Sequence, residues 1–345
     1  MRIIVMGTGP FAVPSAQALV ADGHEIPLVV TRPLANPAAK KLPPRPLFDW
    51  AQARGDKVFE PPSINAPEAI EVVKSQHADL LFVCDYGQIL SKACLGAARL
   101  GGINLHGSIL PRHRGAAPVQ WSILRGDNLA GVTVIHMTPG LDAGPALAIE
   151  QRQIKPDETA EELEPRLAQA GVDAVRTAIV QLESWDGVSA LGEIQDKTLV
   201  TKAPRFCKAD GALDFRLSAD YLVRLVRACQ PWPGTFAELK WASGKHMRLI
   251  IHAARSVHTM PPNLRNSPPG TVIAVEAIDL PDAVDWQPPW RQLLAVATGQ
   301  GAFLVSRIQP AGKRAMDAAE FLRGHPLDDS TRFSLPDPPV SPLCE

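Results

Sequence analysis

The chain has 345 residues, 46% of them hydrophobic, so it is long enough for two domains that each bury a core. The formal charge is −1 at pH 7 and the sequence pI is about 6.8, which excludes binding to a polyanion through overall charge alone. The five cysteines are widely spaced and form no CxxC pair, which argues against a disulfide framework or a zinc site and for a reduced, cytoplasmic protein.

The N-terminal region predicts a strand, a turn and a helix. Residues 2–6 are a β-branched run, and residues 11–22 carry apolar side chains at helical spacing up to Gly23. The turn between them lacks the third glycine of a dinucleotide motif and contains Pro10, so a tight turn is favoured over a nucleotide site. Its glycines and prolines also argue against a signal peptide. No later stretch reaches the roughly 18 apolar residues of a membrane span.

Strands and helices continue to alternate up to about residue 204. Asn65 and Glu68 predict the start of a helix, and the capping box at 159–162 predicts another that runs toward 182 and is kinked or delayed by Pro165. The predicted strands are 26–31, 79–84, 102–106 and 131–137, with an exposed proline-rich loop at 32–46. This alternation predicts an α/β domain with a doubly wound, mainly parallel sheet.

The pattern changes after about residue 204. Ser218 predicts the N-cap of a helix over 219–228, and a proline-rich stop follows it. Short strand-like runs come next, at 235–239, 247–254, 270–275, 293–297 and 302–308. Short strands separated by turn residues predict a small β-barrel, and the proline-rich end of the chain predicts an irregular tail.

Two predicted strand ends carry polar residues suited to chemistry. In the run 102–106, Asn104 and His106 point to one face of the sheet. Asp142 follows the run 131–137 in a glycine-flanked loop, and it lies at the same sheet edge as His106 if the two strands are parallel. An amide, an imidazole and a carboxylate at one edge suit acyl transfer. Each residue also fits a structural role, since Asn and His can bond to backbone and Asp can form an Asx turn.

The same residues carry a family resemblance. The run 104–118 resembles the signature of the folate-dependent formyltransferases, and 131–133 and 140–144 continue it. Matches in both halves extend the similarity over nearly the whole chain, and those of the second half resemble the family members that act on methionyl-tRNA. These further matches lie at 86–90, 195–202, 214–228, 230–234, 310–314 and 321–324. The resemblance implies a Rossmann-like catalytic domain at 1–204, an OB-like tRNA-binding barrel at 205–325 and an irregular tail at 326–345.

The resemblance also implies an activity and its residues. The implied reaction moves the formyl group of 10-formyltetrahydrofolate to the free α-amino group of initiator methionyl-tRNA, in a monomer without a metal or a membrane. The implied catalytic residues are Asn104, His106 and Asp142. The implied folate contacts are Ser108, Ile109, Leu110 and Pro111, with Tyr86, Ile89 and Leu90. Candidate contacts to tRNA phosphates are Lys40, Lys41, Lys245, Arg248, Arg255, Lys313 and Arg314, each of which also fits a solvated surface charge.

Some positions leave alternatives open. Asp85 stands where the family has a small apolar residue, and it fits either a carboxylate beside the folate pocket or a solvated turn. Trp232, between two prolines, fits base stacking or a core position. The closest alternative function is a sugar-nucleotide N-formyltransferase with the same donor, followed by a formyl-folate hydrolase and a non-catalytic tRNA-binding protein. The sequence does not decide how His106 and Asp142 share protons.

Overall fold

The structure, a computed structural model, describes residues 1–38, 42–276, 280, 292–340 and 343. It divides into two compact units. The first comprises Met1–Ser122, Asn128–Ile154 and Glu162–Arg205, and the second comprises Ile123–Asp127, Lys155–Glu161 and Phe206–Glu345. Within the described ranges, no helix is long and apolar enough to cross a membrane.

A seven-stranded sheet is the centre of the first unit. The elements of the first 205 residues are β1 (Ile3–Gly7), α1 (Val13–Ala21), β2 (Val29–Val30), α2 (Pro46–Arg54), β3 (Val58–Phe59), α3 (Pro67–Lys74), β4 (Leu80–Cys84), α4 (Lys92–Leu95), β5 (Gly102–His106), β6 (Arg114–Gly115), α5 (Pro118–Arg125), β7 (Leu129–His136), β8 (Ala146–Gln153), α6 (Ala160–Glu183) and β9 (Lys202–Ala203). The strand order of the sheet is β3-β2-β1-β4-β5-β7-β8. The pairs from β3 to β5 are parallel, and the β5–β7 and β7–β8 pairs are antiparallel. The mainly parallel α/β fold is therefore confirmed.

The central strands explain why this sheet forms. All five residues of β1 and all five of β4 are buried. Strands in the middle of a parallel sheet are covered on both faces and therefore need continuous apolar runs. Ile4 and Val83 pack in one cluster with Ile70 and Val73 of α3. Each such side chain contributes about 1.5–3 kcal/mol through its removal from water.

Several local predictions differ from the structure. The strand predicted at 26–31 contains only the two residues of β2. Asn65 is not an N-cap: Ala66 holds that position, and the Asn65 side chain instead binds the backbone of Ile89 and Ser91. The helix α6 begins at Ala160, so Pro165 does not delay it. The strand β8 was not predicted, because its residues do not alternate: 146–149 are apolar and 150–153 are polar.

The second unit is built on an antiparallel sheet. Its elements are α7 (Ala219–Ala228), β10 (Thr235–Lys240), β11 (His246–Val257), β12 (Val272–Glu276), β13 (Gln292–Ala297), β14 (Ala302–Pro310), β15 (Met316–Asp317), α8 (Ala318–Gly324) and β16 (Arg332–Phe333). The sheet order is β12-β13-β14-β11-β10-β16, and β15 pairs with β14. The N–H of Phe333 donates to the carbonyl of Gly270, just before β12, at 2.8 Å. This bond joins the two ends of the sheet, which curls on itself.

Two further predictions concern the second unit: the N-cap of its helix α7 and the irregular tail at the end of the chain. Ser218 is the N-cap of α7, and its hydroxyl accepts from the N–H of Tyr221, as predicted. The tail expected to be irregular contains β16, whose Phe333 is 1% exposed and packs 5.1 Å from the ring of Phe215. The burial of Phe333 in the core stabilises β16 in its position beside β10.

The remaining predictions for these elements concern a tryptophan, the cysteines and two lysines. Trp232 is 55% exposed, so the core alternative for it is wrong. Cys84, Cys94, Cys207 and Cys229 are free thiols, and burial raises the pKa of Cys94 to about 11. Lys40, Lys41 and Cys344 lie outside the described residues.

Candidate active site

A cavity of about 530 Å³ opens in the first unit at the carboxyl ends of the parallel strands. Ligands of open α/β sheets bind at this edge, because the loops that follow the strands gather there. Thr8 follows β1, Asp85 follows β4 and Gly107 follows β5, and all three line the cavity. Six of the site residues predicted from the sequence also line the cavity: Tyr86, Ile89, Leu90, Asn104, His106 and Asp142.

The sequence placed Asp142 at this edge on the premise that its strand runs parallel to the strand of His106, and that premise is wrong. The strand β7 runs antiparallel to β5, with His106 opposite Thr133 and Ile103 opposite His136. The loop from β7 to β8 therefore begins near the start of β5, away from His106. The loop then turns back toward the end of β5, where Asp142 reaches the side chains of Asn104 and His106. The three residues converge through this reversed loop and not through parallel strands.

The three side chains lie in contact across the cavity wall. The Nδ2 atom of Asn104 lies 3.4 Å from Oδ1 of Asp142. The Nδ1 atom of His106 lies 3.7 Å from Oδ2 of Asp142. Asp142 and His106 are nearly buried, with 9% and 6% of their side chains exposed. A carboxylate, an imidazole and an amide donor therefore face one small volume in which water screens charge poorly.

The other ring nitrogen of His106 is tied to the backbone. Nε2 lies 2.9 Å from the carbonyl oxygen of His113, which can only accept a hydrogen bond. Nε2 therefore carries a proton. In a neutral ring the other nitrogen, Nδ1, would turn its lone pair toward the Asp142 carboxylate. Nδ1 of His106 thus faces the Asp142 carboxylate, 3.7 Å from its Oδ2.

The backbone of the turn at 113–115 fixes Asp142. The N–H of Gly115 donates to Oδ2 of Asp142 at 2.9 Å. Gly115 has φ +130°, and a Cβ there would lie 2.6 Å from the carbonyl oxygen of Ala203, so the close approach needs glycine. Asp142 itself has φ +48°, an uncommon conformation for a side chain other than Asn, Asp or Gly. The loop is therefore held in place by its surroundings.

Asp85 brings a second carboxylate to the cavity. By surface area Asp85 is exposed to the cavity, yet protein atoms crowd its carboxylate. This partial loss of hydration raises the pKa of Asp85, although the charges of His106 and Arg205 lower it. Burial together with the Asp85 charge likewise raises the pKa of Glu164. Asp85 has φ +52°, and its carbonyl accepts from the Thr8 hydroxyl. Of the two alternatives left by the sequence, the structure supports a carboxylate beside the pocket.

The predicted segment Ser108–Pro111 does not line this cavity. Ser108 is fully buried, its hydroxyl donates to the carbonyl of Arg112 at 2.6 Å, and its carbonyl accepts from Thr133 at 2.7 Å. Its role as a folate contact stays a prediction. The sequence assigned no site role to Thr8, Gly115, Gln195 and Arg205. Gly115 and Gln195 nevertheless lie in the runs 104–118 and 195–202 that carry the family resemblance.

Four of the basic residues predicted to contact tRNA lie near one end of the sheet of the second unit. Arg248 follows the start of β11, and its carbonyl accepts from Ala311, just after β14, at 3.0 Å. The Arg248 guanidinium lies 3.6 Å from the centre of the Phe236 ring. Lys245 lies 4.9 Å from the Trp241 ring, and Arg314 pairs with Glu320. Lys245, Arg248, Lys313 and Arg314 are all exposed, whereas Arg255 pairs with Asp157 at 2.6 Å.

Comparison with known proteins gives the family context of this geometry. Residues 1–179 match the formyl transferase family, and residues 205–280 and 289–326 match the formyl transferase C-terminal domain. A methionyl-tRNA formyltransferase of Rhodopirellula baltica is 43% identical, with 97% of each chain covered. One of Hydrogenovibrio crunogenus is 37% identical, with 96% of this chain and 98% of that one covered. A crystal structure of the sugar 3N-formyl transferase WlaRD is 14% identical and has a TM-score of 0.60, with 91% of this chain and 99% of that chain covered. It therefore shares the fold.

Proposed function

Because the chain belongs to the family of methionyl-tRNA formyltransferases, we propose that it transfers the formyl group of 10-formyltetrahydrofolate to the α-amino group of methionyl initiator tRNA. The observation that supports this most is the convergence of Asn104, His106 and Asp142 in the cavity of the first unit. The relatives named for this reaction cover nearly the whole chain, whereas the similar sugar formyltransferase structure supports the fold alone.

Asn104 acts on the formyl oxygen. In the reaction, the acceptor amine bonds to the formyl carbon and negative charge develops on that oxygen. Among the described residues, Nδ2 of Asn104 makes one long contact, 3.4 Å to Asp142, so its donor capacity remains available to a substrate oxygen. A donor aimed at a developing charge in a poorly hydrated site is among the strongest catalytic devices.

His106 and Asp142 carry the protons. The acceptor amine must lose a proton, and the folate nitrogen must gain one as its bond to the formyl carbon breaks. Asp142 accepts the amine proton, directly or through water. That proton passes to Nδ1 of His106, and Nδ1 donates it to the leaving folate nitrogen. The His113 carbonyl keeps Nε2 occupied, so the exchange passes through Nδ1, the nitrogen that faces Asp142.

The cavity suits a folate by its size and its mixed lining. About 530 Å³ lies within the usual range for small-molecule sites. Tyr86 and Leu90 offer buried apolar surface, Ile89 is 62% exposed at the rim, and Thr8 and Asp85 offer polar groups. Tyr86, Ile89 and Leu90 would hold the flat ring system, and the Asp85 carboxyl can accept from its N–H groups.

The second unit is the proposed tRNA-binding part, and its curled antiparallel sheet is proposed to be OB-like. Lys245, Arg248, Lys313 and Arg314 gather exposed positive charge near one end of that sheet. Phosphate contacts of this kind supply salt-dependent affinity without reading the base sequence. Monomeric assembly and a cytoplasmic location remain predictions of the sequence.

The deciding experiment measures formylation of methionyl initiator tRNA with 10-formyltetrahydrofolate as the donor. The purified protein is compared with Asp142→Asn and with Asp49→Asn, which changes an exposed carboxylate in the first turn of α2. We expect formylation by the wild type and by Asp49→Asn, and a loss of about 10²-fold or more in Asp142→Asn. Donor consumption without formylated tRNA would refute the proposed acceptor and favour an amino sugar or water instead.

A further inference from the structure

Gln195 lies behind the cavity wall, where three protein loops meet. It is 9% exposed and does not line the cavity. Its Nε2 donates to the carbonyl oxygens of Asp142 at 2.8 Å and Gly144 at 2.7 Å. Its Oε1 accepts from Nη2 and Nε of Arg114 at 2.6 and 3.2 Å. One side-chain amide thus uses both of its N–H groups on one loop and its oxygen on another.

The two loops that Gln195 joins are the ones that carry the catalytic pair. The turn at 113–115 holds Nε2 of His106 through the His113 carbonyl and Oδ2 of Asp142 through the Gly115 N–H. The loop at 142–144 carries Asp142 itself. Besides the bonds made by Gln195, the hydrogen bond from the Gly115 N–H to Oδ2 of Asp142 joins these two loops directly.

The chain after Gln195 supports the same turn. Arg114–Gly115 pair in parallel with Lys202–Ala203, and the N–H of His113 donates to the Thr201 hydroxyl at 2.8 Å. The turn at 113–115 is therefore anchored on the segment 195–203, and Gln195 extends that anchor to the loop of Asp142. The loop needs such support because Asp142 has φ +48°, and a Cβ on Gly144 would lie 1.8 Å from the His136 carbonyl.

From this geometry we infer that Gln195 is a positioning residue of the active site: through Arg114 it sets the distance between the Asp142 carboxylate and Nδ1 of His106. It touches neither side chain and acts through the backbone of Asp142. The inference rests on the proposed function only in that the pair is taken to be catalytic. A displacement of about 1 Å in such a pair is sufficient to lower a rate about a hundredfold.

The test compares Gln195→Met with Gln181→Met. Gln181 is the matched control, because its Nε2 also donates to a backbone carbonyl, that of Leu147 on β8, at 2.7 Å. Methionine keeps the length of the side chain and removes the donors. We expect kcat of Gln195→Met to fall about tenfold to hundredfold, while KM for each substrate changes less than about threefold. Gln181→Met should keep the wild-type kcat. Equal kcat losses in the two variants, or a loss confined to KM, would overturn the inference.

A second measurement does not depend on the acceptor. The ring Nδ1 resonance of His106 is recorded at fixed pH in protein with ¹⁵N-labelled histidine and assigned with His106→Gln. It should move in Gln195→Met, because the carboxylate 3.7 Å away changes position, and stay in place in Gln181→Met. An unmoved resonance in Gln195→Met refutes the positioning role. If it moves while the wild type formylates no tRNA, the positioning role stands and the proposed acceptor is wrong.

A further variant keeps the inference testable if Gln195→Met does not fold. Arg114→Leu removes the anchor of the Gln195 oxygen but leaves both of its hydrogen bonds to the loop. Arg114→Leu should lower kcat and move the His106 resonance in the same direction as Gln195→Met does, each by a smaller amount. A wild-type kcat in folded Arg114→Leu would refute the proposed path through Arg114.

Discussion

Asn104→Ala tests the proposed oxyanion donor. The substitution removes Nδ2 and leaves the backbone of β5, which pairs with β4 and β7, unchanged. Removal of one such donor costs about 2.7–4 kcal/mol of transition-state stabilisation. At about 1.36 kcal/mol for each factor of ten, kcat should fall about 10²- to 10³-fold.

The structure separates this loss from an effect on Asp142. The contact between Asn104 and Asp142 is long, at 3.4 Å, whereas the Gly115 N–H holds the same carboxylate at 2.9 Å. Asp142 should therefore stay in place in the variant. Because an amide does not titrate in the accessible range, the pH profile of kcat should fall in level and keep its shape.

The assay is the initial rate of tRNA formylation at saturating concentrations of both substrates, from pH 6 to pH 9. Asn128→Ala, at an exposed asparagine just before β7, serves as the control and should keep the wild-type rate. A loss below about threefold in Asn104→Ala would refute its assigned role. A profile that moves along the pH axis would show that Asn104 acts through Asp142 instead.

Three further predictions concern stability and tRNA binding. Loss of hydration raises the pKa of Asp85 above its ordinary value of 3.8, so ionisation of Asp85 costs more free energy in the folded protein than in the unfolded chain. Asp85→Asn should therefore raise Tm at pH 7, and the gain should disappear as the pH falls through the folded pKa toward 3.8. Ser218→Ala removes the N-cap bond to Tyr221 and should cost about 1 kcal/mol in a urea titration. Lys313→Ala should raise KM for tRNA and lower the slope of log affinity against log salt by about 1.

Each of these predictions has a contradicting result. A Tm of Asp85→Asn at or below that of the wild type at pH 7 would show that the charges of His106 and Arg205 outweigh the burial of Asp85. An unchanged free energy of unfolding in Ser218→Ala would mean that water replaces the cap. A salt slope equal to that of Lys74→Ala, an exposed lysine of α3, would remove Lys313 from the tRNA surface.

Elements whose signals are local can be predicted from the amino-acid sequence. The apolar run of β4 requires burial on both faces, and Ser218 caps α7 through its own neighbour three residues later. The alternation of side chains along a strand places Asn104 and His106 on one face, and both line the cavity. In these cases the causal contacts are within a few residues along the chain, so spacing alone predicts them.

The way in which distant segments meet is visible only in the folded chain. The direction of β7 depends on hydrogen bonds to β5, and an apolar strand has the same pattern whether it runs parallel or antiparallel. Asn65 is a good N-cap residue, yet it binds backbone 24 and 26 residues away. Gln195 meets Asp142 and Arg114 across 53 and 81 residues. Contacts of that range leave no periodic trace in the chain, because their energy depends on where the folded backbone brings the partners and not on the spacing of the residues.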